Sequence, residues 1–426
     1  MDFRGGAAVD YILSPEDQAA VKEKALTYLS LGPQKLPSLP TKEEGFRLLD
    51  LFSDVPMSSP LAPSFSYEEG LEELAFDDFP REVSWSTGSP PGERLKDFKV
   101  VLIGAGISGI AAAVYLKRLG IPFELLERQD AIGGTWLLNS YPHVRVDSPF
   151  SAFQYKFVKG YKWTEYFPPG ASIREYLDFV AAKYGVKEHT TFNRELVGAR
   201  WNEGASKWEL KIKNKVDGTE YEQVCNVVIS ASGLFSTPNL PDIPGIETFK
   251  GPIFHTSHYD HSVDMKNKRI ALIGTGSTGT QIAPALAEVA SHLTVYQRTA
   301  NWIVPFAFFK SPISEHTRWM LSHMPYYWNW YCYSSFLKSL NFFSLQKMDR
   351  EWIENGGGVS KRNDDVRREL TEYVRECLKD RPDLVEKMLP KHAPLVRRMA
   401  VDNGFYDTVK SPHVDLVRLI VPSDQE

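Results

Sequence analysis

Apolar and polar positions alternate along this chain in two near-copies of one pattern. Residues 98–128, FKVVLIGAGISGIAAAVYLKRLGIPFELLER, run from an apolar stretch through a glycine-rich turn into a helix-period segment and a second apolar stretch. Residues 266–298, KNKRIALIGTGSTGTQIAPALAEVASHLTVYQR, repeat that order. Each copy predicts strand, turn, helix, strand. Between them, SIREYLDFVAAKYGV carries Ser172 and Glu175 at capping-box spacing and predicts a helix. The alternating WNEGASKWELKIKNKVDGTEYEQVCNVVISASG then predicts a β-meander. Ahead of the first copy, SPEDQAAVKEKALTYLSLG predicts a helix with Ser14 as N-cap, Glu16 and Asp17 in its first turn and Gly32 as its stop. Prolines and the acidic run EEGLEELAFDDFP come next and read as a linker. After the second copy, residues from about 306 to 396 are aromatic-rich with helical spacing, and VDLVRLIV predicts a short strand. This divides the chain into 1–97 (N-terminal helical extension and linker), 98–236, a connector at 237–265, and 266–426 with a helical insertion at about 306–396.

Composition narrows the class. A net charge of −5 gives no reason to expect nucleic acid as a partner. The three cysteines, Cys225, Cys332 and Cys377, are odd in number and far apart, which argues against a disulfide framework or zinc site and fits a reducing, cytoplasmic compartment. No signal-peptide pattern is seen, and no stretch reaches the ~20 apolar residues of a membrane helix. MPYYWNWYCYSSFL comes nearest and reads as a packed amphipathic helix. His189, His255, His258 and His292 fall in no metal-ligand spacing, so no metal is expected.

The turns carry the chemistry. In the first, Gly104 permits a tight turn, Gly106 lets backbone approach a pyrophosphate, and Gly109 lets helix and strand pack closely; Ala113 is small on the same helix. The helix N-terminus then offers N–H groups and a positive dipole end to phosphate. Glu127 ends the second strand, where a carboxylate accepts from a ribose 2′-OH and repels a 2′-phosphate, so this site suits FAD or NAD. The second turn repeats the glycines as Gly274, Gly276 and Gly279, but Gln297 stands where Glu127 stands, and Arg298 and Thr299 come after it. An arginine there can pair with a 2′-phosphate, so this site prefers NADPH. The expected fold is α/β, with two Rossmann-like dinucleotide-binding domains, one for FAD and one for NADPH. Such a chain reads as a flavoprotein that takes hydride from NADPH; without a CxxC pair, oxygen is the natural acceptor.

Four further stretches resemble the class B flavin-dependent monooxygenases, and most of all the Baeyer–Villiger monooxygenases of the 4-hydroxyacetophenone type with an N-terminal extension. In GGTWLLNSYPHVRVD, Gly133, Gly134, Thr135, Trp136, Tyr141, Pro142 and Asp147 match, while His143 replaces the family's Gly. FKGPIFHTSHYD holds the fingerprint positions Phe249, Gly251, His255, Tyr259 and Asp260. VYQRTANWIVP comes after the second fold, and VRRMAVDNGFYDTV contains Arg397 and Arg398, which match a basic pair.

The resemblance implies oxygen insertion next to a carbonyl, turning a small-molecule ketone and O2 into an ester or lactone, in secondary metabolism or ketone catabolism. It implies that Arg398 is the fixed cation that stabilises the anionic oxygenating species, and that Asp147 orients it. Arg397 would help hold the NADPH 2′-phosphate. Ser108, Arg128, Gly134, Thr135, Trp136, Asp147 and Tyr155 fall to the flavin side, and Ser277, Thr278 and Gln281 join the NADPH turn. His255 would couple the two cofactor domains. Asp260 fits the Baeyer–Villiger pattern and Tyr259 that of the N- or S-oxygenating group, which stays open as an alternative. Nothing after Arg398 resembles the family's closing Ala-Thr-Gly segment, so the sequence reads as lacking the C-terminal part of the FAD domain. A non-catalytic dinucleotide-binding homologue is the other alternative.

Overall fold

The computed structural model describes residues 14–32, 41, 44, 47 and 95–418, apart from 307, 325–326, 333–334 and 336–343. The proline-rich and acidic linker, parts of MPYYWNWYCYSSFL and the end of VDLVRLIV therefore lie outside the described residues. Helix α1 (Pro15–Ser30) starts as its sequence predicts: the Ser14 hydroxyl accepts the Asp17 N–H at 3.1 Å. Its end is set by Leu31 and by Gly32 at φ +71°.

The chain divides into two compact units. Among the described residues, one comprises 95–145 and 168–266; the other comprises 14–32, 146–167 and 267–418.

In the first unit, β1 (Val100–Ile103), β2 (Phe123–Leu126), β3 (Thr190–Thr191) and β7 (Val227–Ser230) form a parallel sheet in the order β3-β2-β1-β7. Helix α2 (Ile107–Arg118) joins β1 to β2, and Ala113 is fully buried in it. The predicted meander is an antiparallel sheet of β4 (Arg194–Asn202), β5 (Lys207–Asn214) and β6 (Glu220–Cys225), with an irregularity between Leu196 and Gly198. Its inward side chains Leu210, Ile212 and Cys225 pack with Val101 and Leu126 of the parallel sheet. Burying that apolar surface ties meander to sheet.

One local expectation fails here. Ser172 and Glu175 form no capping box. Helix α4 runs from Gly170 to Lys183, three residues earlier than the spacing implies, with Pro169 at the cap and no side-chain cap bond. Tertiary pairing decides the start: Arg145 and Pro169 form a β-bridge, and the Gly170 N–H donates to the Val144 carbonyl at 2.9 Å. The short helix α3 (Thr135–Leu138) precedes it, and the Trp136 ring lies against Gly170.

In the second unit, β8 (Arg269–Ile273), β9 (His292–Gln297) and β12 (Val414–Arg418) form a parallel sheet in the order β12-β9-β8, crossed by α5 (Ser277–Val289). A separate parallel pair joins β10 (Ile303–Val304) to β11 (Ala400–Val401). Helices α6 (Glu315–His323), α7 (Arg350–Glu354), α8 (Lys361–Cys377) and α9 (Pro382–Met388) belong to the insertion, and α10 (Phe405–Lys410) leads from β11 into β12. Trp302, Val304, Leu345, Val366, Leu370 and Met399 form one buried cluster beneath β10 and β11. The segment 146–167 packs on the aromatic region: Phe150 stacks on Tyr331 at 5.4 Å and lies 5.8 Å from Trp328. Among the described residues, no helix is long and apolar enough to cross a membrane.

Candidate active site

The two turns share their geometry at the first and last glycines. Gly104 sits at φ +99° and Gly274 at φ +105°, a region that favours glycine. A Cβ on Gly109 would lie 1.8 Å from the Gly104 carbonyl oxygen, and one on Gly279 would lie 2.2 Å from that of Gly274. Both helices therefore press directly on their turns, with Gly106 and Gly276 in extended conformation at the caps. Their first N–H groups face out of the turn, the arrangement that suits a pyrophosphate. Ser108 and Thr278 lie in the first turn of their helices.

The acid after β2 is held tightly. Glu127 is 5% exposed and accepts the Ala105 N–H at 2.6 Å and the Gln129 N–H at 2.8 Å. A carboxylate retains lone pairs beyond those two bonds, so a ribose hydroxyl can still be met. Gln297, its counterpart, is fully buried: it accepts from the Thr275 hydroxyl at 3.2 Å and donates to the Lys387 carbonyl at 2.8 Å. It ties strand β9 to α9. Of the next two residues, Arg298 is exposed and Thr299 half-buried.

The first turn is closed from above by the GGTW stretch. A Cβ on Gly106 would sit 3.4 Å from the Gly134 Cα, and one on Gly134 (φ +53°) would sit 2.8 Å from the Gly106 Cα. Two glycines thus bring their backbones together where side chains would fill the space. Arg128 donates to the Ser236 carbonyl and, at 3.4 Å, to the Thr237 hydroxyl, anchoring the chain after β7.

The fingerprint loop is structural in its details. The Phe249 ring lies over Gly251, leaving 2.6 Å to a Cβ there. His255 Nδ1 accepts the Ser257 N–H at 3.1 Å, so its proton sits on Nε2. Tyr259 packs edge-on against Phe254 at 5.3 Å and His261 at 4.9 Å. Asp260 accepts from the Ser262 hydroxyl at 2.6 Å and N–H at 2.9 Å, which holds its carboxyl below the ordinary range. His261 in turn meets the Ser140 hydroxyl at 2.8 Å, tying this loop to the stretch that begins at Gly133.

In the second unit, Asp147 and Arg398 come together across 251 residues of sequence: Arg398 Nη2 lies 3.4 Å from Asp147 Oδ2. Asp147 is only 10% exposed in its side chain and Arg398 is 70% exposed. The other carboxylate oxygen accepts from the Gln281 amide at 2.9 Å, and the Ser277 hydroxyl also bonds the carboxylate. The pair therefore sits at the first turn of α5, beside the second glycine turn. Burial pushes the Asp147 carboxyl above its ordinary value, while Arg398, Ser277 and Gln281 draw it back.

Arg398 is placed by its neighbours in sequence. The Ala400 N–H donates to the Trp302 carbonyl at 2.9 Å, Asn301 Nδ2 donates to the Arg398 carbonyl at 3.1 Å, and Trp302 Nε1 donates to the His392 carbonyl at 2.8 Å. VYQRTANWIVP and VRRMAVDNGFYDTV are thus two halves of one device. Arg397 is exposed; with Arg367 it adds to burial in holding the His392 imidazole below its usual range. Tyr155 is buried and stacks on Phe157 at 4.8 Å.

Sequence reasoning passed over Asp402, Asn403 and Tyr373. Asp402 caps α10 through the Gly404 and Phe405 N–H groups at 2.9 and 3.0 Å, and takes a 2.6 Å bond from the Tyr373 hydroxyl. The visible signal was an Asp, then Asn-Gly, just before a helical run.

This constellation is that of a known class. The chain belongs to the flavin-binding monooxygenase-like family, whose family model matches residues 97–311. An uncharacterised monooxygenase of Sinorhizobium fredii is 36% identical over 323 residues, covering 76% of this chain and 48% of that protein. A Baeyer–Villiger monooxygenase of Streptomyces coelicolor is 32% identical over 330 residues, covering 75% of this chain and 58% of the relative. Among solved structures, OTEMO in complex with FAD and NADP is similar with a TM-score of 0.62 at 28% identity, covering 75% of this chain and 65% of that one. The chain therefore spans about half to two thirds of the length of these proteins. The two-domain α/β architecture expected from the sequence agrees with these neighbours and with the two larger parallel sheets observed.

Proposed function

We propose that the protein is an FAD- and NADPH-dependent monooxygenase of Baeyer–Villiger type, which inserts one oxygen atom of O2 next to the carbonyl of a small-molecule ketone. The observation that carries this reading is the Asp147–Arg398 pair at the first turn of α5, the position where the second glycine turn would present a nicotinamide dinucleotide. The similar proteins support the cofactor assignment, since OTEMO holds FAD and NADP.

The residues fit both dinucleotides. A Cβ at Gly104, Gly109 or Gly134 would run into neighbouring backbone, which supports reading the turn as a close-fitting pyrophosphate cradle. In this reading residues 98–236, apart from 146–167, which pack with the second unit, form the first part of the FAD domain, 237–265 the linker, and 266–426 the NADPH domain. Glu127 takes the FAD ribose; Ser108, Arg128, Thr135 and Trp136 complete that side. Ser277 and Thr278 serve the NADPH turn, and Arg298, Thr299 and Arg397 meet the 2′-phosphate, which favours NADPH over NADH. Bound FAD supplies oxygen activation after reduction by NADPH. The protein's own task is electrostatic. Arg398 holds negative charge at the reacting centre, and Asp147, hydrogen-bonded by Ser277 and Gln281, keeps the guanidinium in place. The exposed position of Arg398 leaves it free to turn toward a bound anion.

A second reading is favoured by Tyr259, which fits the N- or S-oxygenating pattern. One experiment separates them. The purified chain, supplied with FAD, is monitored for NADPH oxidation with a cyclic ketone and with a thioether, and the products are identified. Ester or lactone formation, reduced about a thousandfold or more by Arg398→Ala, is expected, since a preorganised charge is worth about that much. Sulfoxide as the sole product would overturn the reading.

A further inference from the structure

We infer that Gln281 is a positioning residue, which holds the Asp147 carboxylate in the orientation that presents its second oxygen to Arg398. The inference rests on the proposed function for its catalytic meaning, though not for its geometry. Gln281 lies in the first turn and a half of α5 and is 2% exposed. Its amide donates to Asp147 Oδ1 at 2.9 Å, and Arg398 approaches Oδ2 at 3.4 Å. The two oxygens are thus divided between a buried neutral donor on one side and an exposed cation on the other, with the Ser277 hydroxyl as a further donor to the same carboxylate. A carboxylate can rotate about its Cβ–Cγ bond, and a fixed donor on one oxygen removes that freedom.

Gln281 is itself held from behind. Asn403 Nδ2 donates to the Gln281 backbone carbonyl at 3.1 Å, and Asn403 is 2% exposed. Lys310 Nζ donates to the Asn403 carbonyl at 3.0 Å. Asn403 comes directly after Asp402, which caps α10. The support therefore runs from the α10 cap through Asn403 and Gln281 to Asp147, and returns to Arg398, which lies only four residues before Asp402. Packed, hydrogen-bonded supports of this kind are what hold a charged group to its working geometry. This assigns Gln281 to the charge pair and not to the dinucleotide.

The test uses the full chain, labelled with aspartate carrying 13C at the carboxyl carbon, without added cofactor; Asp147→Asn identifies the resonance. In Gln281→Met, which keeps length and loses the donor, the Asp147 titration midpoint should move upward relative to the parent, because a bond to the charged form is lost. In Gln281→Glu, two facing carboxylates should share a proton and titrate in two separated steps. With FAD, NADPH and ketone, Gln281→Met should lower kcat about ten- to a hundredfold with KM for NADPH unchanged within about twofold. An Asp147 midpoint that stays in place in a cooperatively folded Gln281→Met chain overturns the inference, as does a change confined to KM for NADPH. Should Gln281→Met not fold, the single or double titration step of Gln281→Glu decides. A parent chain that oxygenates no ketone would refute the proposed function, while the carboxyl midpoints would still judge Gln281.

Discussion

At His143 the backbone takes φ +68°, a region that favours glycine. A side chain in the left-handed region costs on the order of 1 kcal/mol, partly offset by the smaller entropy of the unfolded histidine chain. His143→Gly should therefore raise stability by about 0.5 kcal/mol, read as a higher urea midpoint at constant slope. A lower midpoint would show that the histidine's own contacts outweigh the strain. Asp147 bears on stability through protons. Burial raises its pKa above the ordinary value of 3.8, so the folded chain binds that proton more tightly than the unfolded one. The associated stability is fully present below the unfolded pKa and is lost as pH rises through the folded one. Asp147→Asn removes this dependence. Its urea midpoint relative to the parent should climb as pH is raised from about 4 toward 7. A difference that is flat or falls over that range would mean that the ion pair with Arg398 outweighs the cost of burial.

At the scale of elements, the two strand–turn–helix–strand units were legible because glycine positions and apolar runs report local geometry directly. Gly104 and Gly274 are where the chain turns, and Gly109 and Gly279 are where helix meets turn. Gly109→Ala would force its Cβ into the Gly104 carbonyl, pushing α2 off β1 at a cost of about 1–3 kcal/mol or more. FAD retention should be lost while NADP binding, measured by calorimetry, survives. Gly279→Ala should do the reverse. Loss of both ligands from either variant would show that the turns are not independent sites. The start of α4 was not legible. Ser172 and Glu175 offered a local cap, but the Arg145–Pro169 bridge and the Gly170–Val144 bond placed the helix start earlier. A cap bond contributes about 1 kcal/mol, which such tertiary pairing readily overrides. The fingerprint loop was legible as a pattern only. Its residues prove to shape the loop: Asp260 makes a turn with Ser262, and Phe249 covers Gly251.

Across the whole molecule, the sequence by itself determined the α/β class, the duplication of the dinucleotide fold, and the identity of the residues that bear charge. These are local properties: period, glycine placement and side-chain chemistry survive in a linear string. Tertiary structure alone decided which of these residues meet. Asp147 reaches Arg398 because residues 146–167 leave the first fold and pack with the second unit, and because β11 pairs with β10. It also decided that Gln281 faces a carboxylate, that Asn403 braces Gln281, and that Gln297 is turned inward to bind the Lys387 carbonyl. Contacts across a hundred residues or more depend on how buried surfaces fit, and that fit is a property of the folded chain rather than of any segment.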